Sequence, residues 1–125
     1  MDAVAHLAAS ISVQESIDDP ATTFDNDVVG TFHMLEGARE VGVEKVMFAS
    51  SGGATYGEQT EFPAPETHTH DPLSPYGITK AVGEDYLRFF NLEYGLNYTV
   101  LRYSNVFGPR QDPNGAYAAV IPRWI

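Results

Sequence analysis

The chain has 125 residues, 43% of them hydrophobic and 12% aromatic, which is enough apolar material for one domain with a packed core and too much for a disordered segment. Its 17 acidic residues against 7 basic ones give a formal charge of -10, which argues against a partner bound through phosphates, whether nucleic acid or an anionic membrane. No cysteine is present, so disulfides, thiolate metal sites and a cysteine nucleophile are excluded together, in keeping with a reducing cytoplasm.

No apolar run is long enough to span a bilayer, and the start, Met1-Asp2 followed by an apolar stretch broken at His6, does not read as a secretory leader. Ala3 to Ala9 is expected as a short buried strand whose lack of polarity on both faces suggests a parallel sheet covered by helices. Asp18-Asp19-Pro20 then offers a cap and a proline suited to a first helical turn. After it Phe24, Val28, Thr31, Leu35 and Ala38 recur at spacings of three and four, an amphipathic helix ending near Gly42. Val46 to Ala49 is a second apolar strand, finished abruptly by Ser50-Ser51-Gly52-Gly53. From Tyr56 to Pro75 the chain is rich in Pro, Gly, Thr and acids and reads as a long loop across the end of the sheet. A second helix is expected from Ser74-Pro75 to Tyr94, burying Val82, Tyr86, Phe89 and Phe90 and stopping at Gly95. Tyr98 to Tyr103 is the third strand, Asn105 to Arg110 leaves it as a turn, and Tyr117 to Ile125 begins a further apolar element. Strand, helix, strand, helix, strand implies right-handed crossovers in an α/β, Rossmann-like doubly wound parallel sheet. Ligands in such sheets gather beyond the carboxyl ends of the strands, here Leu7-Ala8-Ala9, Ser50-Ser51-Gly52 and Tyr103-Ser104-Asn105.

The sharpest chemical signal is Tyr76-Gly77-Ile78-Thr79-Lys80, which puts a phenol and an ammonium at i and i+4 on one helix face. A phenol is a poor base at neutral pH, and a neighbouring cation favours its phenolate. The bare pattern also fits a surface helix with an incidental Tyr/Lys pair. Ser51, 25 residues before Tyr76 at a strand end, adds a hydroxyl that can share a hydrogen bond with the phenol and a substrate oxygen, although a polar turn capping a strand accounts for it equally. His68 and His70 present two imidazoles from one loop, but no third ligand is evident and a solvated loop is the preferred reading, so no metal is expected. His6 reads as a strand-end packing residue and His33 as part of a helix surface.

Taken together, these segments resemble the extended short-chain dehydrogenase/reductases known as NAD-dependent epimerase/dehydratases, and among them the branch that inverts C4 of UDP-glucose. The resemblance rests on five ordered matches: His6 to Ala9, Val28 to Thr31, Phe48 to Gly57, Ser74 to Lys80, and Leu101 to Gln111. It implies that Tyr76 is the catalytic base and acid, that Lys80 lowers the Tyr76 pKa and holds the nicotinamide ribose, and that Ser51 assists proton transfer. It further implies that Leu7, Ala8, Ala9, Ser50 and Tyr103 line the NAD site together with Tyr76 and Lys80. Asn105 would contact the sugar-nucleotide pyrophosphate, and Ser51 and Tyr76 would touch the sugar. The implied reaction is inversion of C4 of a UDP-hexose by hydride transfer to and from NAD through a transient 4-keto sugar. Related 4,6-dehydratases carry an acid pair where Gly52-Gly53-Ala54 stands, which favours the epimerase over a dehydratase, decarboxylase or reductase.

Two departures from the family pattern stand out. Asp27 occupies a cofactor-site position where the family commonly has asparagine, and no glycine-rich phosphate-binding turn opens the chain. Residues 1–125 are therefore expected to be the central and C-terminal part of an NAD-binding domain, without its first βαβ half and without the substrate lobe, inactive alone and a homodimer when complete. The competing reading from another class is a catalytically silent module that folds with a partner along an open sheet edge.

Overall fold

The computed structural model describes residues 2–114 and 120–124. Three strands, β1 (Ala3–His6), β2 (Lys45–Ser51) and β3 (Asn97–Tyr103), form one parallel sheet in the order β1-β2-β3. The first ladder runs from the Ala3 and Lys45 pair to His6 and Phe48; the second runs from Lys45 and Asn97 to Ser51 and Tyr103. Ser51 and Tyr103 thus stand side by side where the sheet ends.

Between β1 and β2 the chain forms α1 (Val13–Asp18), α2 (Pro20–Phe24), a π-helical turn (Asp25–Val29) and α3 (Gly30–Glu40). The cap expected before Pro20 is Asp19, whose carboxylate accepts the Thr22 N–H at 3.1 Å. A short helix, α4 (Gly52–Thr55), follows β2, and α5 (Pro75–Tyr94) precedes β3. Ser74 opens α5 by accepting the Gly77 N–H at 3.1 Å, Pro75 occupies the first turn, and Gly95 closes it at a left-handed φ of 70°. The last described element is α6 (Val120–Trp124); the rest of the apolar stretch expected from Tyr117 to Ile125 lies outside the described residues.

The core joins Leu35 and Ala38 of α3 with Leu87 and Phe90 of α5 over Val46 and Phe48 of β2, closed by Val43 and Leu96. Both long helices therefore lie on one face of the sheet, as right-handed crossovers require when successive strands are added in one direction. The opposite face is the more exposed one in these residues. In β2 Val46, Phe48 and Ser50 are buried while Lys45 and Met47 are exposed, and Ala3 and Ala5 of β1 are exposed as well. β1 is also shorter than expected, ending at His6, so that Leu7, Ala8 and Ala9 belong to its exit.

Two helix positions depart from the periodicity. Phe24 is exposed although Val28, Thr31, Leu35 and Ala38 are buried. The π turn inserts one extra residue between them, and a residue is about 100° of rotation, so the first apolar position swings off the common face. On α5 the buried stripe is Lys80, Gly83, Glu84, Leu87 and Phe90, which leaves Phe89 exposed on the far side, edge-on to Tyr94 with ring centroids 5.8 Å apart.

Candidate active site

The carboxyl end of the sheet and the amino end of α5 meet at a cleft of about 690 Å³. Their approach depends on Gly77, because a Cβ there would sit 2.4 Å from the Ala54 carbonyl oxygen in the segment leaving β2. The first turn of α5 is fixed from a second side by Ser16 of α1, fully buried, whose hydroxyl donates to the Val13 carbonyl at 2.7 Å and accepts the Tyr76 N–H at 3.2 Å. That bond satisfies one of the amides a helix start leaves without an internal partner.

Of the residues singled out from the sequence, Leu7, Ser50, Ser51, Tyr76, Lys80, Tyr103 and Asn105 line this one cleft, drawn from three strand ends and one helix. Ala8, Ala9 and Asp27 are not among its walls. Asp27 lies buried in the π turn, where its carboxylate accepts the Ser10 N–H at 2.6 Å and stands 3.3 Å from the Thr79 hydroxyl, tying the exit of β1 to α5. Ser50 borders the cleft, yet its hydroxyl donates to Glu84 at 2.5 Å.

Lys80 is 4% exposed, its Nζ donating to the Ala49 carbonyl at 2.9 Å and lying 5.7 Å from the centre of the Tyr76 ring and 5.1 Å from that of Phe48. Burial pulls its pKa below the ordinary lysine value, and the Asp27 carboxylate acts in the opposite sense. Next to Lys80, His6 stacks on Phe48 at 5.9 Å and meets the Thr31 hydroxyl at 3.1 Å, with its pKa lowered by burial first and then by Lys80.

Several features of the site were not anticipated from the sequence. Ile11, Val13 and Ile17 build an apolar wall from a segment where no helix was expected, although its apolar positions sit on either side of polar Gln14, Glu15 and Ser16. The buried Glu84 and the half-buried Arg102 form an ion pair with an Nη2–Oε2 distance of 2.6 Å. Glu84 was legible in principle, since 76, 80 and 84 share one helix face. His68 and His70, expected in a solvated loop, instead flank the Tyr56 ring at 5.2 and 6.3 Å, and His70 Nε2 lies 3.6 Å from Glu84. Among the described residues no group of three or more His, Asp or Glu side chains is arranged to hold a metal ion, and no helix is long and apolar enough to cross a membrane.

The model of the NAD dependent epimerase/dehydratase family matches residues 1–125. The chain belongs to this family. Within it, the UDP-glucose 4-epimerase of Mycolicibacterium smegmatis is 43% identical over 119 residues, which are 95% of this chain and 38% of that protein. The crystal structure of UDP-glucose 4-epimerase from Thermotoga maritima with UDP-glucose superposes with a TM-score of 0.91 at 50% identity, over 98% of this chain and 40% of that one. The UDP-glucose 4-epimerase of Thermus thermophilus in complex with NAD gives 0.87 at 47% identity, over 93% and 38%. The chain thus spans about two fifths of the length of the epimerase/dehydratases it matches, and its parallel sheet with helices is the Rossmann-like α/β fold of those structures.

Proposed function

We propose that residues 1–125 are the central and C-terminal part of the NAD-binding domain of a longer sugar-nucleotide 4-epimerase, and that they carry its catalytic groups. The observation that carries this reading is the meeting of Ser51, Tyr76 and Lys80 in one cleft at the ends of parallel strands, with the Lys80 ammonium 5.7 Å from the Tyr76 ring. The cleft fits a nicotinamide nucleotide in kind: Leu7, Ile11, Val13 and Ile17 offer an apolar wall, and Lys80, held on the Ala49 carbonyl, supplies a cation to which ribose hydroxyls can bind. NAD bound there would supply the redox chemistry, as the acceptor and donor of hydride for C4 of the sugar.

The rest falls to the chain. The Tyr76 phenolate takes the proton of the C4 hydroxyl and later gives it back, the Lys80 charge keeps that phenolate accessible at neutral pH, and the Ser51 hydroxyl donates to the same sugar oxygen and holds it in line. Asn105, at the mouth of the cleft beyond Tyr103, is suited to the pyrophosphate of a UDP-hexose. The uncharged Gly52-Gly53-Ala54 after Ser51 supports epimerisation over elimination of water. Ile78, Phe89 and Leu92 stay exposed on α5 and support a homodimer built on the long helices, while the absence of cysteine supports a cytoplasmic setting.

The deciding experiment is Tyr76→Phe in the polypeptide that carries this chain, assayed for interconversion of UDP-glucose and UDP-galactose. A loss of about 10²- to 10⁴-fold in turnover with NAD still bound is expected. Near-normal turnover would overturn the assignment.

A further inference from the structure

The proton-transfer chemistry described above does not use Glu84, and a carboxylate only 8% exposed is costly to bury without a purpose. Glu84 stands one turn beyond Lys80 on α5 and is met from three directions. From β2, the Ser50 hydroxyl donates to Oε1 at 2.5 Å. From β3, Arg102 donates through Nη2 to Oε2 at 2.6 Å and through Nε to both oxygens at 3.1 Å. From the long loop, His70 Nε2 lies 3.6 Å from Oε2. Arg102 reaches further into that loop, its Nη1 donating to the Tyr56 hydroxyl at 2.8 Å and to the Glu66 carbonyl at 2.9 Å.

The two strand partners are each the chain neighbour of a group in the cleft. Ser50 precedes Ser51, Arg102 precedes Tyr103, and Ser50 and Arg102 are themselves register partners across the two strands. Alternation along a strand sends Ser50 and Ser51 to opposite faces, so a restraint on the first sets the aim of the second. Lys80 clasps the preceding residue of β2 through the Ala49 carbonyl at 2.9 Å. The helix that presents Tyr76 is therefore tied to the strand that presents Ser51 at two successive residues.

We propose that Glu84 is a positioning residue for proton transfer. Through Ser50 and Arg102 it fixes the Ser51 hydroxyl relative to the Tyr76 phenol without touching substrate or cofactor. The proposal rests on the catalytic reading of Ser51 and Tyr76 given above. Buried polar networks whose members are all satisfied rigidify their surroundings and specify a single arrangement, and that is the property a hydrogen-bonded catalytic pair needs.

Glu84→Gln is the obvious variant, but it leaves Arg102 half-buried without its counter-charge and can fail to fold. Ser50→Ala is the sharper one, because it cuts the link to Ser51 and keeps the ion pair. In the full polypeptide, Ser50→Ala is expected to lower kcat by about tenfold with KM for the UDP-hexose unchanged, while losing the bond to Glu84 lowers the thermal midpoint without unfolding the protein at the assay temperature. In a Ser51→Ala background the same substitution should cost nothing further, because the group it aims is gone. Ser50→Thr, which retains the hydroxyl, should restore turnover. An equal loss in both backgrounds, a loss confined to KM or NAD content, or no loss at all would overturn the positioning role. Full turnover in Ser51→Ala would sink the catalytic reading itself, whatever Ser50→Ala does.

Discussion

Gly83 lies midway along α5 with its Cα against Phe48, the largest fully buried side chain of the sheet. A Cβ at this position would sit 2.6 Å from Phe48 Cζ and 3.2 and 3.3 Å from its two Cε atoms. The ring cannot easily retreat, since it is 2% exposed, stacks on His6 and packs within the core of Leu35, Val46 and Leu87. Gly83→Ala therefore carries an overpacking cost of about 1–3 kcal/mol. It also gains about 1 kcal/mol of helix propensity, which obscures the packing effect. Gly37→Ala isolates it, because Gly37 is exposed in α3 and a Cβ there meets nothing within 4 Å, so that variant gains the propensity alone. The difference between the two variants is then the packing term by itself, about 1–3 kcal/mol in favour of Gly37→Ala. Urea titrations of both variants and the parent protein measure it directly, compared at equal m-values. Equal stabilisation of the two variants would refute the argument that α5 sits on Phe48 as closely as described.

Lys80→Met should damage both NAD affinity and turnover, measured as cofactor retention and kcat; a change in rate alone contradicts its role toward the ribose. Asp27→Asn removes a charge that raises the Lys80 pKa, so the alkaline limb of activity, or of Lys80 acylation, should move to lower pH, and an unmoved limb disproves the coupling. His6 is depressed below its ordinary 6.5 by burial and by Lys80. Its folded form takes up a proton less readily than the unfolded chain. Stability is therefore lost as pH falls from 6.5 toward the folded pKa, and no further below it. Denaturation between about pH 7.5 and 5 should show this slope, and His6→Gln should flatten it. Ser74→Ala deletes the α5 cap that accepts the Gly77 N–H and should cost about 1 kcal/mol in the same denaturation assay.

The α/β class, the three strands, the two long helices and the placing of Tyr76 and Lys80 on one helix face were legible in the sequence, because each is a local signal. The Ser74-Pro75 start and Gly95 stop of α5, the apolar run of β2, and Tyr76 and Lys80 at i and i+4 depend on backbone geometry within a few residues. What the tertiary structure decided is which faces are covered and which distant side chains meet. Both crossover helices fall on one side of the sheet, so Met47 and Ala5 are exposed where the apolar runs promised burial. The π turn at Asp25–Val29 carries Phe24 off the inward face and buries Asp27, and no local pattern announces an inserted residue in a helix. Glu84, Arg102 and Ser50 are separated by 34 residues between Ser50 and Glu84 and 18 between Glu84 and Arg102, yet share one hydrogen-bonded cluster. A single sequence records that these residues are polar and does not record that they are neighbours. Their meeting is set by the register of β2 with β3 and by the close approach that Gly77 and Gly83 allow α5 to make.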